Sequence, residues 1–218
     1  MELRAVLLQP MSEECPYING LTFVSESMII PELEPRQLDA VLSMGFRHFG
    51  EVFFRPICRD CRQCIPIRVP VQRFEMSRSV RRLFNRASHL TVSLEKPVPS
   101  EEAFALYTKH KERFDQLPRE DYDQYLRSFY YPFTFNRALY IRDREQNNRL
   151  VAVSHLDVTD RIMSAIYCYF DEEYSRFSPG KLAVYKEIEL ARQMGLQFLY
   201  LGYYVPGNRH MNYKIRFK

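Results

Sequence analysis

Leu38, Val41 and Leu42 fall at helical spacing between Pro35 and Met44, and Gly45 ends the run as a C-terminal cap does. A strand is predicted from Arg47 to Phe54. Ile65 to Val71 alternates apolar and polar positions, with prolines that suit the edge of a sheet. Ser77 to Ser88 reads as a helix entered at a serine cap. Val80, Leu83, Phe84 and Ala87 lie on one side of it, with Arg78, Arg81, Arg82 and Arg86 on the other. The proline-marked run Glu95 to Ser100 then interrupts the pattern. Beyond it the spacing predicts a helix from Ser100 to about Phe114 and a second from Asp121 to Tyr130. Strands follow over Ala138–Arg142, Leu150–Leu156 and Ile162–Phe170, the last two forming a hairpin turned at Asp160 and Arg161. A helix opening at Pro179 behind Ser178 and a final strand from Phe198 to Tyr204 complete the chain.

This order describes an α/β chain: an N-terminal, cysteine-bearing α+β unit over residues 1–95 and a mixed-sheet unit over 96–218. The second resembles the N-acetyltransferase superfamily (GNAT) fold, an analogy that carries no function by itself. With 218 residues and 46% apolar content, the chain can bury a substantial core and is not disordered. The first ten residues hold too short an apolar run for a signal peptide, and no run reaches membrane-spanning length, so a cytoplasmic protein without a membrane segment is expected.

Charge changes the picture. Nine arginines and no lysine fall between Arg55 and Arg86, against Asp60 and Glu75 alone, on a chain whose net charge is only +4. That segment has a local positive field, and guanidinium groups suit phosphate oxygens, which points to a nucleic acid or another polyanion. A solvated helix face is the plain alternative. Fifteen tyrosines and sixteen phenylalanines, with no tryptophan, mostly serve the core; exposed tyrosines beside cations can stack on bases.

Cys58, Cys61 and Cys64 form a C-x-x-C-x-x-C run, and Cys15 is the natural fourth thiol for a zinc or iron–sulfur site. Free thiols packed in a small unit are the competing reading. Cys168 lies in an apolar run and reads as core. Ser178-Pro179-Gly180-Lys181 opens a helix with the groups needed to seat a phosphate. The last ten residues hold four cationic side chains and no acid, next to a tyrosine-rich strand. The five histidines show no metal spacing, and there is no hydrolase serine motif, P-loop or paired-carboxylate signature.

Several blocks carry a resemblance. They are Cys15-Pro16-Tyr17 with Gly20; Gly45-Phe46-Arg47; Arg55-Pro56 through the three cysteines to Pro66, Arg68-Val69-Pro70-Val71; Ser79, Arg81, Arg82 and Arg86; Tyr200-Leu201-Gly202-Tyr203-Tyr204, Pro206-Gly207; and Met211-Asn212-Tyr213-Lys214, Arg216-Phe217. In this order they resemble the N-end rule aminoacyl-tRNA–protein transferases, specifically the bacterial aspartate/glutamate leucyltransferases related to eukaryotic arginyltransferases. The chain departs from that pattern at Phe54, at Ala87 and at Ser178-Pro179-Gly180-Lys181.

The resemblance implies transfer of leucine from leucyl-tRNA to proteins beginning with aspartate or glutamate, marking them for degradation as N-degrons. It implies no cofactor for the chemistry, because an aminoacyl ester is already activated and needs only positioning and oxyanion stabilisation. The residues expected at the reacting centre are Tyr203, Asn212 and Tyr213 as hydrogen-bond donors and Asp171 as a group orienting an ammonium. Arg78, Arg81, Arg82 and Arg86 are expected on the acceptor stem or the acidic N-terminal side chain. Gly180 and Lys181 would face the terminal adenosine, with Lys214 and Arg216 on phosphate or carboxylate. An arginyl-specific transferase, a coenzyme A-dependent N-acetyltransferase and a metal-stabilised RNA-binding module are the rival readings.

Overall fold

A computed structural model describes residues 3–113, 121–208 and 210–217. The first sheet is antiparallel and comes entirely from the N-terminal third. Its strands are β1 (Val6–Leu7), β2 (Met11–Glu14), β3 (Thr22–Ile29), β4 (Arg47–Phe49) and β5 (Val52–Pro56), in the order β1-β3-β5-β4 with β2 also on β3. Helix α1 (Pro35–Ser43) lies between β3 and β4, entered through a Glu34–Gln37 capping box with proline at its start.

The predicted strand Arg47–Phe54 is in fact a hairpin, broken at Gly50. That residue has φ +53°, and a Cβ there would lie 2.1 Å from the Arg127 carbonyl oxygen, so only glycine lets the turn press on the helix behind it. A run of alternating apolar residues does not show this contact, which comes from a distant segment.

The second sheet has six strands in the order β6-β11-β10-β9-β8-β7: β6 (Ile65–Pro70), β7 (Leu90–Glu95), β8 (Asn136–Asp143), β9 (Arg149–Val158), β10 (Ile162–Phe170) and β11 (Phe198–Tyr204). Both edge strands come from the first 95 residues, so the unit boundary expected near Glu95 does not coincide with a sheet boundary. β9 is buried over nearly its whole length, as a central strand covered on both faces must be.

Successive β8 residues point to opposite faces. Leu139 and Ile141 join the core under α2 (Arg78–Arg86) and α5 (Pro179–Gln193), while Ala138 packs with α3 (Glu101–Lys111) and α4 (Tyr122–Phe129). The predicted end of α3 at Phe114 lies outside the described residues, as do Arg209 and Lys218 in the tail. Ser77 caps α2 by accepting from the Val80 amide. Ser178 precedes α5 in a left-handed conformation, φ +49°, and its side chain makes no cap.

A third core joins the sheets, with Phe53 of one and the flanking Phe46 and Ile30 against Ile162 and Tyr200 of the other and the flanking Phe135. Polar contacts cross the same junction. His48 Nε2 lies 2.8 Å from Asp157 Oδ2, both fully buried, and the Tyr203 hydroxyl donates to the Gly45 carbonyl at 2.7 Å.

Candidate active site

β10 and β11 run parallel, yet they pair only from Ile162–Ser164 against Phe198–Tyr200. Beyond those residues each strand has an irregularity. β10 shifts register against β9 between Ala165 and Tyr167, and β11 shifts against β6 between Tyr200 and Tyr203, where Gly202 takes φ +81°. Such bulges turn strands apart. The two strands separate, and a cavity of about 880 Å³ opens along them.

Its walls include Ala165 to Cys168 and Phe170 of β10, Leu201 to Tyr203 of β11, the first turns of α5, the tail residues Met211, Tyr213 and Lys214, and Arg47, His48 and Phe49 from the first sheet. His110 at the end of α3, Arg113 just beyond it and Ser154 of β9 lie beside them. Helical spacing explains the α5 wall. Gly180, Val184 and Glu187 are four and three residues apart and share one stripe with Lys181.

Two cations fill the gap between the strands. Arg47 Nη2 donates to the Ala165 carbonyl at 3.4 Å, and Lys214 Nζ donates to the Tyr203 carbonyl at 3.0 Å. They approach each other beside Gly202, where a Cβ would lie 3.4 Å from Lys214 Nζ and 3.7 Å from Arg47 Nε. Among the described residues neither forms an ion pair with a carboxylate within 4 Å. Burial, with Arg47 adding to it, lowers the Lys214 pKa from 10.5 to about 7. Burial also works against the Arg47 charge. Asp157 is the carboxylate that acts on Arg47, but it is bonded to His48, so an anion entering here meets two donors without a direct ion pair among the described residues.

Among the described residues Glu187 is the one acid that lines the cavity, 1% exposed, with neither carboxylate oxygen hydrogen-bonded. Burial pushes it up to about 7. Tyr213 lines the wall, its phenol kept protonated by burial and by the nearby Cys168 and Glu187.

Residues 13–82 match the family described as arginine-tRNA-protein transferase, N terminus, and residues 102–218 match its C terminus. The chain belongs to this transferase family. It is 32% identical over 213 residues to an aspartate/glutamate leucyltransferase of Campylobacter jejuni, covering 94% of this chain and 87% of the relative. It is 36% identical over 208 residues to a protein of the same name in Shewanella oneidensis, covering 92% and 84%. In fold it is similar to the C-terminal DUF2156 domain of an Agrobacterium fabrum protein assigned as a lysylphosphatidylglycerol synthetase. That likeness has a TM-score of 0.51 at 16% identity and covers 78% of this chain and 52% of the other.

The transferase brings some of its sequence-predicted residues together and scatters others. Gly180, Lys181, Tyr203, Tyr213 and Lys214 all line the cavity. The Tyr203 hydroxyl, however, is committed to Gly45, so it braces the wall instead of facing a substrate. Asn212 does not line the cavity; its side-chain oxygen is buried without a partner in the 3₁₀ turn Asn212–Arg216. Arg216 is exposed on that turn.

Asp171 is likewise outside the cavity. Burial alone would raise its pKa, but hydrogen bonds from Lys109, the Glu173 amide and Arg149 hold it below the usual range. Lys109 Nζ lies 2.9 Å away and Arg149 closes on the other oxygen, so this carboxylate pins α3 and β9 and has no site for a substrate ammonium.

Arg78, Arg81, Arg82 and Arg86 are exposed along α2 and none touches the cavity. The four thiols of Cys15, Cys58, Cys61 and Cys64 are neighbours: burial and then the other three cysteines push Cys64 up to about 11. They do not converge as ligands. Among the described residues no group of three or more His, Cys, Asp or Glu is arranged to hold a metal ion, and the Cys58 sulfur sits against the Val24 backbone at 3.4 Å. The residues present therefore do not fit the expected metal site, and no step passes through one.

Arg47 and Glu187 were not expected at the site. Arg47 is in the family block Gly45-Phe46-Arg47, where a charge beside apolar residues was the available signal. Glu187 falls among the buried positions of α5, at the same helical spacing as Gly180 and Val184.

Proposed function

We propose that this chain transfers leucine from leucyl-tRNA to the α-amino group of proteins that begin with aspartate or glutamate, in the cytoplasm, as a step that marks them for degradation. The observation that carries the reading is the pair Arg47, buried, and Lys214, half-buried, which among the described residues have no carboxylate within ion-pair distance in a largely apolar cavity. An acceptor whose first side chain is a carboxylate supplies the missing charge. A neutral or basic first residue leaves both cations unpaired, which is the costly outcome.

The chemistry needs little else. The neutral α-amine of the acceptor attacks the ester carbonyl, the tetrahedral adduct collapses, and the ribose hydroxyl leaves as the peptide bond forms. The amine needs no dedicated base to become neutral, since its pKa near 8 leaves part of it unprotonated at working pH, and the proton shed by the adduct's nitrogen passes through water to the departing ribose oxygen. Tyr213, protonated and lining the wall, donates to the developing oxyanion. Gly180 and Lys181 at the start of α5 take the terminal nucleotide, and the exposed arginines of α2 hold tRNA phosphates further out. No helix among the described residues is long and apolar enough to cross a membrane.

The test is transfer of radiolabelled leucine from leucyl-tRNA to three peptides that differ only in an N-terminal aspartate, glutamate or lysine. Labelling of the two acidic peptides alone is expected. Labelling from arginyl-tRNA instead would make the chain an arginyl-specific enzyme. Silence with both donors would overturn the transferase reading for this chain.

A further inference from the structure

The proposed reaction uses the cations of the cavity and leaves Glu187, the one buried acid that lines it among the described residues, without a task. Glu187 is 1% exposed, and neither of its oxygens has a hydrogen-bond partner. The groups around it are neutral. The Ser154 hydroxyl, itself buried and unbonded, tempers the carboxyl's pKa without closing a bond to it. The Cys168 thiol and the Tyr213 phenol are both pushed upward by burial and stay protonated. An uncompensated buried carboxylate facing a cavity is costly unless a ligand brings the counter-charge.

We infer that Glu187 receives the α-ammonium of the donor's aminoacyl group. This rests on the transferase reading and adds a recognition element to it. Three observations select the donor's amine over the acceptor's. Glu187 ends the α5 stripe that begins at Gly180 and Lys181, and seven helical residues rise about 10 Å, the span from a terminal nucleotide phosphate across the ribose to an ester-linked α-amine. Val184 and Leu201 line the same cavity and suit a leucyl side chain attached to the same α-carbon. The acceptor's amine must be uncharged to attack, whereas the donor's amine takes no part in bond making and can remain an ammonium throughout.

The experiment compares leucyl-tRNA with its deaminated analogue, α-hydroxyisocaproyl-tRNA, as donors for the wild-type enzyme and for Glu187→Gln. The ratio of kcat/KM for the two donors is the readout, because a general loss of activity or packing lowers both and leaves the ratio alone. In Glu187→Gln the preference for leucyl-tRNA is expected to fall at least about tenfold, the difference between a charged and a neutral partner. An unchanged ratio overturns the inference while leaving the transferase reading intact; a wild-type enzyme that transfers from neither donor removes both.

A second measurement needs no variant. Leucine methyl ester is expected to inhibit wild-type transfer at least about tenfold more strongly than methyl 4-methylpentanoate, which lacks the amine. Equal potency, or no inhibition by either, counts against the assignment even if the substituted protein does not fold.

Discussion

Lys214 Nζ donates to the carbonyl oxygen of Tyr203 across 3.0 Å, and so ties the C-terminal turn to β11 beyond the point where β10 has left it. The ammonium is held there by a backbone dipole, with no carboxylate within 4 Å among the described residues and with Arg47 as a charged neighbour. Both residues line the cavity, and the energy of this contact depends on pH.

In the folded chain Lys214 titrates near 7, against 10.5 when exposed. Below pH 7 both states hold the proton and the folded state carries the full cost of a buried ammonium. Between 7 and 10.5 the unfolded chain binds the extra proton, so the contribution to stability grows with pH. It amounts to about 5 kcal/mol over that window. Lys214→Met removes this dependence and loses one hydrogen bond. The stability of the variant relative to wild type, from urea melts, is expected to be highest near pH 6 and to decline towards pH 10. Parallel profiles would mean that Lys214 keeps an ordinary pKa.

Glu187 shows the opposite slope. Its folded pKa of about 7 lies above the unfolded 4.5, so the native state holds the extra proton between those values and loses stability as pH rises through them. The loss is about 3 kcal/mol by pH 8. Glu187→Gln is expected to melt like wild type at pH 4 and to be clearly more stable at pH 8. A variant less stable than wild type at pH 8 would show that the carboxylate has a partner in the fold.

The meander of the second sheet was legible because β8, β9 and β10 each carry an apolar pattern with turn residues between them, and α1, α2 and α5 announce themselves by spacing and caps. β7 was not, since Leu90–Glu95 is half-exposed and lies beside a proline-marked run that reads as a linker. β1 and β2 were missed for a similar reason, being exposed throughout, whereas β3 is largely buried but turns the polar Ser25 and Ser27 inward and so lacks an apolar alternation. The site was half visible. Tyr213, Lys214, Gly180 and Lys181 come from contiguous blocks, whereas Arg47 and Glu187 gain their meaning from strands that separate at two bulges, a feature of pairing that no local pattern carries. Asp171 was misplaced because an acid after an aromatic strand looks the same whether it faces a cavity or, as here, Lys109 and Arg149.

The α2 arginines lie away from the cavity. Arg78, Arg81, Arg82 and Arg86 are exposed and outside the cavity. Arg81→Ala with Arg82→Ala is therefore expected to weaken tRNA binding without altering the kcat of bound donor. The slope of log affinity against log salt should become shallower by about 2, one for each lost phosphate contact. Filter binding at several salt concentrations reads this directly; an unchanged slope would show that the face is only solvated.

Tyr203 and Tyr213 separate bracing from chemistry by the same substitution. The Tyr203 hydroxyl donates to Gly45 at 2.7 Å and is enclosed at the junction of the two sheets, so Tyr203→Phe removes a bond that joins them. It should lower stability by about 1 kcal/mol, and more if the Gly45 carbonyl is left dry. Its effect on kcat should be small. Tyr213 lines the cavity with no such commitment, and Tyr213→Phe takes away only a proton donor. Stability should then be close to wild type, while kcat falls by about 100-fold if the phenol meets the oxyanion. Paired melts and single-turnover transfer assays distinguish the cases. The reverse pattern, with Tyr203→Phe inactive and Tyr213→Phe fully active, would move the reacting centre from the α5 side of the cavity to the junction between the sheets.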